Sequence, residues 1–226
     1  MISTYTIWQY VHIVLFAYWL GADLGVFFAS RYVARADLSL PERLRFLELL
    51  LLIDIGPRTA LILMVPVGST LALKLGLAPF LSGWLWLVWL LSLAWLALAW
   101  WLFAHARDPK AAPLVRFDSW VRWVVAAMFV AMGVASFARL GPVEAGWLAA
   151  KFITFGFAVV LGLLLRRVIR DWVIGFAQLR QPATEAAGNA LIYAAHHRAH
   201  NLALALWVLV ALTAFLGVTK PGLGLS

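Results

Sequence analysis

Six apolar stretches, each long enough to cross a bilayer, leave this chain few folds to choose from. They run over about residues 5–31, 46–73, 82–104, 119–139, 146–167 and 190–217. A helix needs about 20 predominantly apolar residues to span the hydrocarbon core. In lipid every backbone polar group must be bonded within the structure, so segments of this length are helices. The expected fold is therefore all-α, a polytopic membrane helical bundle forming one integral membrane domain over 1–226. Charged residues make up 12% of the sequence, about half the usual share of a soluble domain, which leaves no room for a sizeable soluble domain beside the spans. The first stretch has no basic n-region and is too long for a signal-peptide core, so it reads as a span.

The basic residues concentrate in alternate connections. Arg31, Arg35, Arg43 and Arg45 lie between the first two segments, Arg107, Lys110 and Arg116 between the third and fourth, and Arg166, Arg167, Arg170 and Arg180 after the fifth. The other side carries only Lys74, Arg139 and Lys220. Cytoplasmic loops are enriched in Lys and Arg. Both termini are therefore expected outside, with the basic loops in the cytoplasm of a bacterial-type inner membrane. The net charge of +8 then reflects topology and contact with anionic membrane lipid, not nucleic acid.

Local signals add detail. The third segment carries Trp84, Trp86, Trp89, Trp95, Trp100 and Trp101. The outer ones suit interfacial belts. Trp89 and Trp95 lie deeper, where packing is the simpler reading and walling a flat cofactor the alternative. Pro57, Pro66 and Gly68 predict a distortion in the second segment that frees backbone groups beside Arg58. Ser39, Pro41 and Glu42 form a helix-start signature, a capping box. Residues 168–188 read as a cytoplasmic amphipathic segment, and no tandem repeat is visible. With no Cys, disulfides, Cys-ligated clusters and thioether-attached haem are excluded.

Ionisable side chains inside the spans carry the functional information, because a charge at mid-bilayer costs roughly 2.5–3.5 kcal/mol. At about 1.5 Å per residue, His12 lies roughly 10 Å from the outer end of its segment and Lys151 roughly 8 Å from that of its own. With Arg139 they make an outer group. Asp23, Asp54, Arg58, His196 and His200 make an inner group. Two levels suit a protein that moves something across, one that stacks two redox centres, or plain structural ion pairing.

Each residue has two readings. Asp54 and Arg58, at i and i+4, are first a buried ion pair. Asp23, within Gly21-Ala22-Asp23-Leu24-Gly25, is interhelical glue or a second acid for Arg58. His12 is a hydrogen-bonding bundle residue or an axial haem ligand. Lys151 snorkels outward, or is a ligand, a propionate partner or a proton carrier. His196 and His200 share a helix face at a spacing that can hold a metal ion, although His197 stands where a zinc protease has Glu. The candidate metal ligands are His12, His196 and His200.

Two stretches resemble a known family. Val11-His12-Ile13-Val14, Tyr18-Trp19-Leu20-Gly21, Phe27-Phe28 and Arg31 resemble the first helix of the HemJ-type protoporphyrinogen oxidases and the related CopD-like membrane proteins. Ala150-Lys151-Phe152, opening an apolar helix that ends in Arg166-Arg167, resembles the start of a later helix of that family. Ile55-Gly56-Pro57-Arg58 is similar to a segment of its second helix. The resemblance implies haem b, with His12 and Lys151 as the residues that hold it.

The leading expectation is a haem-b-binding membrane protein in electron transfer, or an oxidoreductase acting on a lipophilic, quinone- or porphyrinogen-like substrate. Arg139 would neutralise a propionate. His200 would ligate a second haem or hand over protons, and Asp23, Asp54 and Arg58 would support the site. A quinone, a redox partner protein and a second copy of the chain are candidate partners. The alternative is a small transporter or copper/metal-ion permease using Asp23, Asp54 and Arg58. With only Met1, Met64, Met128 and Met132 and no Cys, the chain has no track of soft ligands for Cu(I). A third reading is a non-catalytic membrane anchor subunit of a redox complex.

Overall fold

The computed structural model describes residues 3–106 and 108–223. Met1 and Arg107, which entered the methionine and loop-charge arguments, lie outside the described residues. Six helices among the described residues are long and apolar enough to cross a membrane, and none of these residues forms a strand. They are α1 (Thr4–Ala34), α2 (Leu40–Lys74), α3 (Leu85–Ala104), α4 (Ala112–Phe137), α5 (Gly146–Gln178) and α6 (Glu185–Thr219). The all-α membrane bundle read from the sequence is the fold observed.

Helices adjacent in sequence are adjacent in space. α1 packs on α2, α2 on α3, α4 on α5 and α5 on α6, and α6 closes back on α1, whereas α3 and α4 touch only lightly. One end of the bundle carries the termini with the α2–α3 and α4–α5 turns. The other, the arginine end, carries the remaining three turns. Gly133 and Gly156 let α4 and α5 approach closely: a Cβ on Gly156 would lie 2.8 Å from the Ala126 carbonyl oxygen. Such contacts between small residues are how helices associate where lipid is as apolar as the side chains.

The helices differ in length, with α4 at 26 residues between the extremes. α3 has 20 residues, about 30 Å at the α-helical rise, which is one bilayer crossing. α1, α2, α5 and α6 have 31, 35, 33 and 35 residues, or about 46–52 Å. Trp100, near the end of α3, donates to Thr59 Oγ1 at 3.1 Å in the middle of α2. The excess length therefore projects at the arginine end as a four-helix collar. Its core includes Val33, Leu50, Val168, Trp172, Phe176 and Ile192.

The collar corrects two expectations. Residues 168–188, read as a partly amphipathic helix ending near Gln181-Pro182, are helical at their start and turn close to that point, but as a continuation of the fifth helix. Their first part continues α5 to Gln178, a 3₁₀ turn follows at Pro182–Thr184, and α6 begins at Glu185. Arg43 is no loop residue but a buried one: its Nε donates to the Val33 carbonyl at 3.0 Å and its Nη1 to Asn189 Oδ1 at 2.7 Å. Both differences have one cause. A hydropathy reading ends a span at its first charges, whereas a helix continues as long as its charged side chains find partners or water.

α2 begins as its sequence signature predicts, with the Ser39 N–H donating to Glu42 Oε2 at 2.9 Å and Pro41 in the first turn. It runs as one helix through Pro57 and Pro66, so the expected distortion is not a break.

Candidate functional site: charges inside the bundle

The deepest charge is Asp118 of α4, which is fully buried. Trp95 Nε1 donates to its Oδ1 at 2.8 Å. Arg122 Nε and Arg166 Nη1 both reach its Oδ2, at 3.1 and 2.6 Å. Trp95 is midway along α3, and Asp118 is the seventh residue of α4 from its arginine end. A buried charge is tolerable only when paired and hydrogen-bonded, and Asp118 has three donors. The Arg122 guanidinium also lies over the Trp95 ring, 5.3 Å from its centroid.

Next to this cluster, towards the arginine end, Arg58 donates to Asp54 one turn back on α2, as the i, i+4 spacing predicted. Asp23 of α1 completes the network. Its Oδ2 is buried without a hydrogen-bond partner.

Two cavities open onto these residues. One, about 70 Å³, lies between α1, α2, α5 and α6 and is lined by Asp23, Asp54, Phe27, Ser30, Trp172 and Trp207 among others. The other, about 60 Å³, is lined by Trp19, Asp23, Asp54, Arg58, Arg122 and Arg166 with apolar neighbours. Asp23 and Asp54 belong to both. Trp207 Nε1 is a second buried polar atom without a partner at the first cavity. His200 packs on Phe27, a wall residue of that cavity, at 4.8 Å between ring centroids, but does not itself line it. His196 lies one turn further on, with its Nδ1 buried and unbonded. The inner group is thus brought largely together.

The outer group is brought together only in part. His12 and Lys151 are electrostatic neighbours across α1 and α5. A Cβ on Gly68 of α2 would lie 3.7 Å from His12 Cε1, and one on Gly217 of α6 would lie 2.6 Å from Lys151 Nζ. His12 Nδ1 is buried without a partner. Arg139 does not join them. It is exposed at the end of α4 in the left-handed conformation, φ 59°, where its side chain leaves the bundle. The metal reading gains no support. Among the described residues no three His, Cys, Asp or Glu side chains converge to hold an ion, and His12 lies at the opposite end of the bundle from His196 and His200.

Sequence reasoning missed Asp118, Arg122 and Arg166. Asp118 and Arg122 had a readable signal, the same i, i+4 spacing as Asp54 and Arg58. Arg166 had none, because its partner is on another helix. The two deeper Trp residues are bonded within the protein: Trp95 to Asp118 as above, and Trp89 to Thr70 Oγ1 at 3.1 Å with Trp8 against its ring.

Comparison with known protein families, with curated proteins and with solved structures finds no match to this chain. Haem b, the group implied by the resemblance, is tested here by donors and room. His12 Nδ1 and the Lys151 amine are suitable donors. Neither cavity is lined by His12 or Lys151, and both fall far below the roughly 300–1,000 Å³ of a cofactor pocket. Neither cavity fits a porphyrin, so no chemistry is derived through one.

Proposed function

We propose that this chain is a multi-pass membrane carrier that passes a small polar or ionic solute through a site at Asp23, Asp54, Arg58, Arg122 and Arg166. The observation that carries the reading is the convergence of both cavities on Asp23 and Asp54 within the charge network. Ionisable residues inside spans usually mark substrate or ion pathways. Transporter sites lie where polar groups interrupt the bundle near its middle. Following the positive-inside rule, the arginine end faces the cytoplasm of a bacterial-type inner membrane and both termini face out. The first cavity would then be the inner approach to the site.

The test is current across solid-supported membranes carrying the reconstituted protein, on concentration jumps of sodium, potassium, formate and glycine. A current present in the parent and lost in Asp23→Asn supports the carrier. Silence with all four removes it.

A second reading, a haem-b redox protein of the HemJ/CopD-like type, is favoured by the unbonded His12 Nδ1 beside Lys151. A reduced-minus-oxidised spectrum of the purified protein decides it. A b-type band that His12→Ala abolishes supports this reading, and a featureless spectrum from haem-replete cells ends it.

A further inference from the structure

We propose that the cavity between Arg58, Arg122 and Arg166 binds a small oxyanion, a carboxylate or phosphate, through guanidinium N–H groups. The first argument is charge. Asp118 carries one negative charge, and two guanidiniums bond to the same oxygen of it. One carboxylate therefore serves two guanidiniums. Asp54 takes no part in these bonds; Arg58 donates to it instead. Asp23 is the remaining acid on the cavity wall, and no arginine bonds to it among the described residues.

The second argument is donors. A guanidinium offers five N–H bonds. Arg122 is only 4% exposed and lines the cavity, yet its Nη2 has no partner. Buried donors are rarely left so, because each costs its full desolvation. An anion in the cavity supplies the missing acceptor.

The third argument is shape. The cavity measures about 60 Å³, where about 10–15 Å³ by the same measure holds one water. That is room for formate, acetate or phosphate and too little for a larger metabolite. Planar guanidiniums pair with carboxylate and phosphate oxygens two at a time, which a spherical halide cannot reproduce. The cavity runs from the level of Trp95 in α3 to that of Trp100 near its end; a free anion and a lipid phosphate share this chemistry, and titration of delipidated protein with free anions tests the first.

The inference rests on the carrier reading of the same cavity, and binding is measured apart from flux so that each fails separately. Delipidated protein in detergent is titrated with sodium formate, acetate or phosphate against chloride at constant ionic strength, following the midpoint of thermal unfolding. A saturable rise with at least one oxyanion and not with chloride is expected. In Arg58→Gln, and in Arg122→Gln if that variant folds, half-saturation moves up at least about tenfold. No saturable rise with any of the three, an equal rise with chloride, or an unchanged titration in Arg58→Gln overturns the site. Binding without current retains the anion site and removes the carrier. Sodium or potassium currents without anion binding do the reverse.

Discussion

Within one bundle, the Asp118 cluster and the His12–Lys151 pair answer the same physical problem in opposite ways. Both hold cations in the bilayer, about 15 Å apart along α2 if measured from Gly68 to Arg58. At Asp118 every charge is bonded to an opposite one, and an indole N–H fills the remaining place. At His12 and Lys151 two basic groups are electrostatic neighbours, and no carboxylate bonds to either among the described residues. The first arrangement stabilises itself. The second is tolerated near an end of the bundle and gains nothing from its own charges.

Three substitutions probe that contrast. Asp118→Asn leaves Arg122 and Arg166 buried without an anion, which costs about 3–5 kcal/mol. The expected outcome is loss of monodisperse protein in mild detergent or a large drop in unfolding temperature. An unchanged melting curve would mean that the cluster is not the anchor described above. Lys151→Met removes a cation that has no acid, so stability stays level or rises by about 1 kcal/mol. A clear destabilisation would reveal a partner for Lys151 and erase the difference between the two sites. Asp37→Asn breaks the exposed pair with Arg35 at the α1–α2 turn and should leave the unfolding temperature unmoved, since exposed pairs contribute little.

That last pair also has a defined pH sign. The Arg35 guanidinium, through its hydrogen bond, holds the Asp37 carboxyl below the usual carboxylate range. Whatever it contributes is present above the ordinary carboxylate pKa and is lost as pH falls through the lowered value. Parent and Asp37→Asn should therefore give superimposable acid-unfolding curves. A difference confined to the acid limb would show that the turn matters more than its exposure implies.

The spans were legible because apolar length is a one-dimensional signal, and so was the Asp54–Arg58 pair, whose partners share a helix. Asp118 and Arg122 share a helix too, but Asp118 lay one residue outside the span drawn for it. Arg166 looked like the start of a basic loop because α5 was ended where its charges began. Its partner is on α4, and no spacing within α5 announces a contact across helices. Depth put His12 and Lys151 at one level, and they are electrostatic neighbours in the structure. It failed for Arg139, because residues at one level point in different directions when one of them ends a helix.

With a bilayer matched to the length of α3, the collar would divide the molecule between two solvents. Where α1, α2, α5 and α6 run through lipid, they are held by close packing, since hydrocarbon surrounds them folded or apart. Beyond α3, Trp172, Phe176 and Ile192 are hidden from water instead, and there the driving force is the ordinary hydrophobic effect. That force weakens on cooling, whereas packing in lipid does not depend on it. The chain thus carries a cold-sensitive end on a cold-indifferent body, and lowering the temperature loosens it first at the collar.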